Sequence, residues 1–288
     1  MRSLWFVATL LAAIVTLEAQ DAQRARWNEP QAPFKVFGTT WYVGPKGVSA
    51  VLLTSDAGHV LIDGALPESV TAIVDGIRRA GFRIEDVQLI LNSHVHYDHA
   101  GGIGELQRLS GATVAARAES ATVLESGRSG PDDPQYGVLP EIARVSTVKV
   151  VKDGETLRVG SIAVTAHATG GHTPGGTSWT WRSCEGSRCL DLVYADSLTA
   201  VSADGFSFSR STTYPSAVRD FEAGFAFLDS TSCDILITPH GDVSDLWTRL
   251  ARRDKGEPEA LIDRTACKRY ADGARRRLQT RLATEKAK

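Results

Sequence analysis

Residues 87–99 read VQLILNSHVHYDH. The first six form a short, nearly continuous apolar run, as expected of a strand buried on both faces. The run stops at Ser93, and three His and one Asp follow within the six residues His94 to His99. The cluster therefore stands at the C-terminal end of a buried strand, where α/β folds place their sites. Imidazole nitrogen and carboxylate oxygen are natural zinc ligands. In an extended or turning backbone His94 and His96 point the same way, with Asp98 and His99 on a different side. The first pair can serve one metal and the second pair another. Burying so many polar groups without a matching partner would be costly.

A catalytic zinc typically takes three protein ligands plus water, so two metals need six ligands and this stretch supplies four. Two further His lie in similar strand-end contexts. Thr169-Gly170-Gly171-His172-Thr173-Pro174-Gly175-Gly176 follows a strand-like run ending at Ala168, and Thr238-Pro239-His240-Gly241 follows the apolar run Ile235 to Ile237. Glycines in the first of these let the backbone turn sharply and pass close to a ligand. Five of the seven His are used in this way, and His59 and His167 read as ordinary polar residues.

Around these segments strand-like and helix-like pieces alternate. Residues 47–62 read as two β-rich runs about the turn Asp56-Ala57-Gly58. Val70, Ile73, Val74 and Ile77 sit at helical spacing after Pro67, a good helix-start residue. Further strands are expected at 114–116, 147–151, 162–168, 178–181, 192–195 and 235–238. Helices are expected near 104–109 and 214–228 and in the last quarter. This alternation indicates an α/β layered architecture with helices covering sheet faces. Residues 127–135 (GRSGPDDPQ) read as a surface loop near a site.

The 288 residues carry 32 Lys+Arg against 34 Asp+Glu, a formal net charge of −2, and 42% are hydrophobic. That balance argues against electrostatic capture of nucleic acid and against disorder. The arginines near the C-terminus fit the same reading. Ile262, Ala266, Tyr270, Ala274, Leu278 and Leu282 recur every four residues, so the arginines fall on a solvated helix face with Asp263, Asp272 and Glu285. Residues 1–19 (MRSLWFVATLLAAIVTLEA) have the outline of a secretory signal peptide, which leaves 20–288 as a single domain. Export makes the four Cys candidates for disulfides. Cys184 and Cys189 bracket a short polar hairpin tip, and Cys233 and Cys267 are left for each other. Four reduced thiols would be the better reading only without export.

The strings HVHYDH at 94–99, GGHTPGGTSW at 170–179, YADSLTA at 194–200 and TPHG at 238–241 resemble the metallo-β-lactamase superfamily. More narrowly they resemble the third subclass of true metallo-β-lactamases, over nearly the whole chain beyond the leader. The resemblance implies an αββα four-layer sandwich with its active site at the sheet edge. It puts His94, His96 and His172 on a first Zn2+ and Asp98, His99 and His240 on a second, two ions per chain. It implies hydrolysis of a β-lactam amide by a zinc-activated water, with Asp98 orienting that water as the catalytic carboxylate. Ser197 and Thr199 are placed near the substrate carboxylate, and Gln135 in the DDPQYG loop is a further candidate to lie over the site. Another subclass has a Cys ligand about where Ser197 stands, followed by a Lys; the stretch 197–209 contains neither Cys nor Lys. The pairings Cys184–Cys189 and Cys233–Cys267 match disulfides of members of this subclass. Many relatives have Pro after the last His, where this chain has Gly241-Asp242.

The competing reading is another hydrolase of the superfamily: a glyoxalase II-type thioesterase, a lactonase or a phosphodiesterase. In those relatives an Asp placed like Asp196 bridges both metals, so that reading is favoured if Asp196, rather than Ser197, points into the pocket. A non-catalytic zinc-binding protein would tend to have a closed site with four ligands per ion. The only SxxK string, Ser146 to Lys149, has no SDN or KTG companion, which argues against a serine β-lactamase. The expected setting is the periplasm, with a small-molecule β-lactam substrate, no nucleic-acid partner, no membrane after signal cleavage, and a monomeric chain.

Overall fold

The structure, a computed structural model, describes residues 20–287; the expected signal peptide at 1–19 lies outside the described residues. A helix over residues 20–27 (α1) comes first. A seven-stranded sheet follows in the spatial order β1-β2-β3-β4-β5-β6-β7. Its strands are β1 (Phe34–Phe37), β2 (Thr40–Tyr42), β3 (Val51–Ser55), β4 (Gly58–Ile62), β5 (Val87–Leu91), β6 (Thr113–Ala116) and β7 (Val148–Val150). The first four pair antiparallel, and β4 to β7 run parallel. Between them lie α2 (Val70–Arg79), α3 (Tyr97–Ala100), α4 (Ile103–Ser110) and α5 (Ala118–Ser126). A five-stranded sheet of order β12-β11-β10-β9-β8 completes the pair. It comprises β8 (Thr156–Val159), β9 (Ile162–Ala168), β10 (Thr177–Glu185), β11 (Arg188–Tyr194) and β12 (Ile235–Ile237), with α6 (Ala217–Ser230), α7 (Leu246–Asp254) and α8 (Ala266–Lys286).

Alternation along the strands decides how these pieces stack. In β5, Leu89 and Leu91 point into a core shared with Trp179, Trp181, Leu192 and Tyr194 of the other sheet. Ile90 of the same strand points the other way, against Ile73, Ile77, Ile103 and Leu106 of α2 and α4. In β11, Leu192 and Tyr194 face the inter-sheet core, while Val193 faces Phe221, Phe225, Tyr270 and Ala274 of α6 and α8. Both sheets are thus covered on both faces, and the chain is an αββα sandwich of four layers. A buried Leu or Phe in such a layer contributes about 1.5–3 kcal/mol by leaving water.

Both disulfides of the expected pairing are present. Cys184–Cys189 closes the β10–β11 hairpin and Cys233–Cys267 ties the start of α8 to the segment before β12. Two expectations need correction. Ile262 is not part of the last helix, because Asp263 Oδ1 accepts the Thr265 N–H at 3.0 Å and its carbonyl accepts Ala266 N–H, so the helix begins at Ala266. Glu285 is not on a solvated face: it is buried and accepts the N–H groups of Phe208 and Ser209 at 3.0 and 2.9 Å. Arg269 and Arg275 of α8 are paired with Asp263 and Asp229, while Arg281 turns in to Glu285 and the Phe206 carbonyl.

Candidate metal centre

Four segments meet at one edge of the sandwich, each leaving the C-terminal end of a strand: 92–99 after β5, 169–176 after β9, 195–199 after β11 and 238–240 after β12. Asp63, just past β4, braces the first of them. Its carboxylate accepts the Ser93 N–H at 2.7 Å, the Ser93 hydroxyl at 2.6 Å and the Tyr194 hydroxyl at 2.8 Å. Holding it there requires φ of 61° at a non-glycine residue, a strained conformation costing on the order of 1 kcal/mol. The backbone is extended at His96 and then turns into α3, so Asp98 and His99 lie one helical turn apart from the extended His94 and His96. In the second segment Gly171 has φ of 117°, and a Cβ there would meet the Phe221 ring at 2.5 Å. Only glycine passes beneath that ring, and its N–H donates to the Tyr214 hydroxyl at 2.8 Å.

Two sets of ligand atoms result, His94 with His96 and His172, and Asp98 with His99 and His240, each set lying within 4.8 Å. In the second set Asp98 Oδ2 is 3.1 Å from His99 Nε2 and 3.3 Å from His240 Nε2, and the two imidazole nitrogens are 3.2 Å apart. His240 donates its Nδ1–H to the Gly47 carbonyl at 2.8 Å, which leaves Nε2 as a lone pair. An ion with tetrahedral bonds of about 2.0–2.1 Å has ligand atoms about 3.3 Å apart, which matches these edges. In the first set His94 Nε2 is buried with no hydrogen-bond partner. A cation is the natural counterpart of that orphaned atom, so this donor set fits a metal.

Four of the five imidazoles are turned by what holds their other nitrogen, while His99 Nδ1 is buried without a hydrogen-bond partner. His94 Nδ1–H donates to Asp196 Oδ1 at 2.8 Å, His96 Nε2–H to Asp133 Oδ1 at 3.1 Å and His172 Nδ1–H to the Thr199 carbonyl at 2.8 Å. Such outer partners select the tautomer that presents a lone pair to the metal. Burial, reinforced by the neighbouring imidazoles, holds His94 well below the usual histidine range and His172 down to about 3. Both rings are therefore neutral at pH 7 and present a lone pair. Burial alone would raise Asp98, but His99 and His240 outweigh it and keep the carboxyl well below its ordinary value.

The cleft above these atoms has a volume of about 430 Å³, and Ser197, Thr199 and Gln135 line it. Gln135 Nε2 lies 3.3 Å from His96 Nδ1. Asp196 is fully buried behind His94 and is not part of the cleft lining. The Tyr270 hydroxyl accepts the Leu198 N–H at 2.9 Å and donates to the Asp196 carbonyl at 2.8 Å, which sets Ser197 toward the cleft. His59 and His167 lie elsewhere: His59 against Phe82 at 5.0 Å, and His167 stacked on Phe227 at 4.2 Å with Nε2 2.8 Å from Thr180 Oγ1. Sequence reasoning missed Asp133, Asp63, the Gly47 carbonyl and the whole contribution of α1. The 127–135 loop is marked as site-proximal by its composition, but nothing in it singles out Asp133.

A family model described as the metallo-β-lactamase superfamily matches residues 43–216. Among solved structures the chain is 54% identical to the Rm3 metallo-β-lactamase, with a TM-score of 0.90 over 91% of this chain and 97% of that one. It is 53% identical to MEM-A1, a subclass B3 metallo-β-lactamase isolated from a soil metagenome library, with a TM-score of 0.89 over 91% and 99% of the two chains. Curated sequences are more distant: an N-acyl homoserine lactonase from Bacillus sp is 27% identical over 147 residues, 43% of this chain and 54% of that protein. The chain spans 61% or less of the length of the first curated relatives it matches.

Proposed function

The chain belongs to the metallo-β-lactamase superfamily, and from that premise, with subclass B3 enzymes as near structural relatives, we propose that it is a zinc-dependent β-lactamase. His94, His96 and His172 would hold one Zn2+, and Asp98, His99 and His240 a second. Zinc bound there supplies Lewis acidity and a water made acidic enough to act as a nucleophile at neutral pH.

The chain's own groups do the rest. Asp196, Asp133 and the carbonyls of Thr199 and Gly47 lock four imidazole rings, so the ligand geometry exists before substrate arrives. Asp98, kept ionised by His99 and His240, stands at the cleft floor as an acceptor that orients the attacking water. Ser197 and Thr199 offer hydroxyls to the substrate carboxylate, and Gln135 offers an amide across the cleft from the 127–138 loop. Export fits this reading, since two disulfides suit an oxidising compartment. We place the mature chain, 20–288, in the periplasm as a monomer. Among the described residues no helix is long and apolar enough to cross a membrane.

The observation that carries the proposal over a lactonase or thioesterase is the position of Asp196. A bridging carboxylate must face both ligand sets, whereas here Asp196 backs His94 and Ser197 takes the cleft position. The test is a panel of a chromogenic cephalosporin, an acyl homoserine lactone and a glutathione thioester, each with and without EDTA. Cephalosporin turnover that EDTA abolishes is expected. Zinc-loaded protein that opens only the lactone or the thioester refutes the proposal.

A further inference from the structure

The cleft has a wall that the ligand sets do not explain. Gln20, Gln23, Arg24 and Trp27, all from α1, line it. The helix is seated through the loop that orients a ligand. Gly47 packs against Trp27 so closely that a Cβ would collide with its backbone, and the Gly47 carbonyl is the acceptor for His240 Nδ1. The loop and the segment after α1 are joined by Lys46, whose N–H donates to the Glu29 carbonyl at 2.8 Å and whose ammonium pairs with the Glu29 carboxylate at 2.7 Å. Trp27 then stacks toward the His240 ring, with centroids 6.0 Å apart and planes 30° apart.

Arg24 lies one turn earlier on the same helix. Its guanidinium carbon is 5.0 Å above the ring of Tyr97, the residue next to Asp98. No carboxylate pairs with it among the described residues, and it is the only Arg or Lys lining the cleft. The loop from Ser197 to Ser209 contains no Lys or Arg, so the hydroxyls of Ser197 and Thr199 are neutral donors. A β-lactam, on the reading proposed above, brings a carboxylate on the carbon bonded to its amide nitrogen. Zinc apart, Arg24 is the only cationic side chain lining the cleft that can face that anion, and desolvating it against neutral hydroxyls alone would be costly.

We infer that Arg24, carried on α1, is the cationic group that attracts and orients the substrate carboxylate. The inference rests on the β-lactamase reading. It makes α1 part of the binding site and assigns the charge that recognises the substrate to an element far in sequence from the 197–209 loop. Arg24 is part-exposed and its guanidinium lies over the Tyr97 ring, an arrangement that leaves the edge of the planar fork free to meet a carboxylate.

Zinc-loaded wild type, Arg24→Ala and Arg24→Lys are compared on a cephalosporin with one carboxylate and on its neutral methyl ester, over a range of NaCl. Calorimetric binding of the hydrolysed acid is measured in parallel. For Arg24→Ala, KM for the acid should rise about fivefold with kcat within twofold of wild type, the scale of a part-exposed ion pair. The hydrolysed acid should bind about fivefold more weakly, Arg24→Lys should recover most of the loss, and the salt dependence of kcat/KM should flatten only in the alanine variant. The ester should be indifferent to the substitution. Equal losses on acid and ester would overturn the inference, since Arg24 would then merely seat the helix, and so would an unchanged KM and salt dependence. Wild type inert toward both cephalosporins would refute the β-lactamase reading itself, and this inference with it.

Discussion

Replacing Asp196 by Asn separates two roles a carboxylate can have at this position. Asp196 Oδ1 accepts the His94 Nδ1–H at 2.8 Å, and both side chains are essentially inaccessible to solvent. Burial pushes the Asp196 carboxyl well above its ordinary range, so its charge depends on a cation bound to His94; an Asn carbonyl can occupy the same place and still accept that hydrogen bond, but cannot ionise when the cation binds. Charge-assisted hydrogen bonds are roughly twice as strong as neutral ones, and loss of an outer partner costs about 10- to 100-fold in metal affinity. Because the acceptor is weakened rather than deleted, the lower end applies, about tenfold or about 1.4 kcal/mol. The loss should fall on one ion only. None of Asp98, His99 and His240 hydrogen-bonds Asp196, so the lost charge reaches the second set only through space and through the His94–His99 ring contact, centroids 4.3 Å apart. Titration of metal-free protein with zinc against a chromophoric chelator resolves the two binding steps. The expected result is one step weakened about tenfold and the other unmoved. If both steps collapse together, Asp196 is a direct ligand of both ions and the reasoning that separates this site from a bridged one is wrong. If neither step moves, the ring of His94 is held by something other than Asp196.

His99→Ala removes one of the three residues of the second set only, so metal analysis should find one zinc where the wild type is expected to hold two; two retained ions would contradict the division of ligands. Replacing Cys233 and Cys267 together opens a link across a sequence separation of 34, whose loop entropy corresponds to about 4 kcal/mol. Calorimetry should show Tm lower by about 8 °C, and a shift under 2 °C would refute that estimate. Glu285→Gln gives a test in pH. Burial alone would raise this carboxyl, but the Ser209 and Phe208 N–H groups and Arg281 hold it down to about 2. A lowered folded pKa means stability present above the unfolded value near 4.5 and lost as pH falls through about 2. Urea unfolding should therefore put the variant about 2–3 kcal/mol below wild type at pH 7, with the gap closing in acid. A gap independent of pH would show that Glu285 acts by packing and not by charge.

The ligand set is legible from sequence because metal chemistry restricts it to a few side-chain types, and those must sit where strands end. His94 to His99 therefore stand out as a string, whereas His172 and His240 stand out only once their order and strand-end placement are added. The groups that orient them do not. The acceptors for His172 and His240 are backbone carbonyls, which every residue possesses, so Thr199 and Gly47 carry no signal for that role. Asp133 is a side chain, but its partner is 37 positions away and only the fold brings the two within 3.1 Å. The same divide appears in the layers. β5 and β12 read as strands because both faces are buried and the runs are continuously apolar, whereas β1 and β2, at four and three residues, are too short to show a period.

The position of Asp196 shows how far a motif can go and where geometry must take over. The string Ala195-Asp196-Ser197 is compatible with two chemistries, because adjacent residues at a strand end point to opposite sides. A change of one residue in which side chain faces the cleft would exchange a bridging carboxylate for a hydroxyl. The side is decided outside the string: Ser178 Oγ accepts the Asp196 N–H at 2.9 Å, and Tyr270 clamps the backbone on either side of Ser197. Tyr270 stands on α8, 74 residues from Asp196, in a helix whose packing against α6 has nothing to do with metal. The choice between hydroxyl and carboxylate at the cleft is therefore made by the outer helical layer, through one hydroxyl that accepts from Leu198 and donates to Asp196. Tyr270→Phe leaves the ring in its buried place and removes only that clamp.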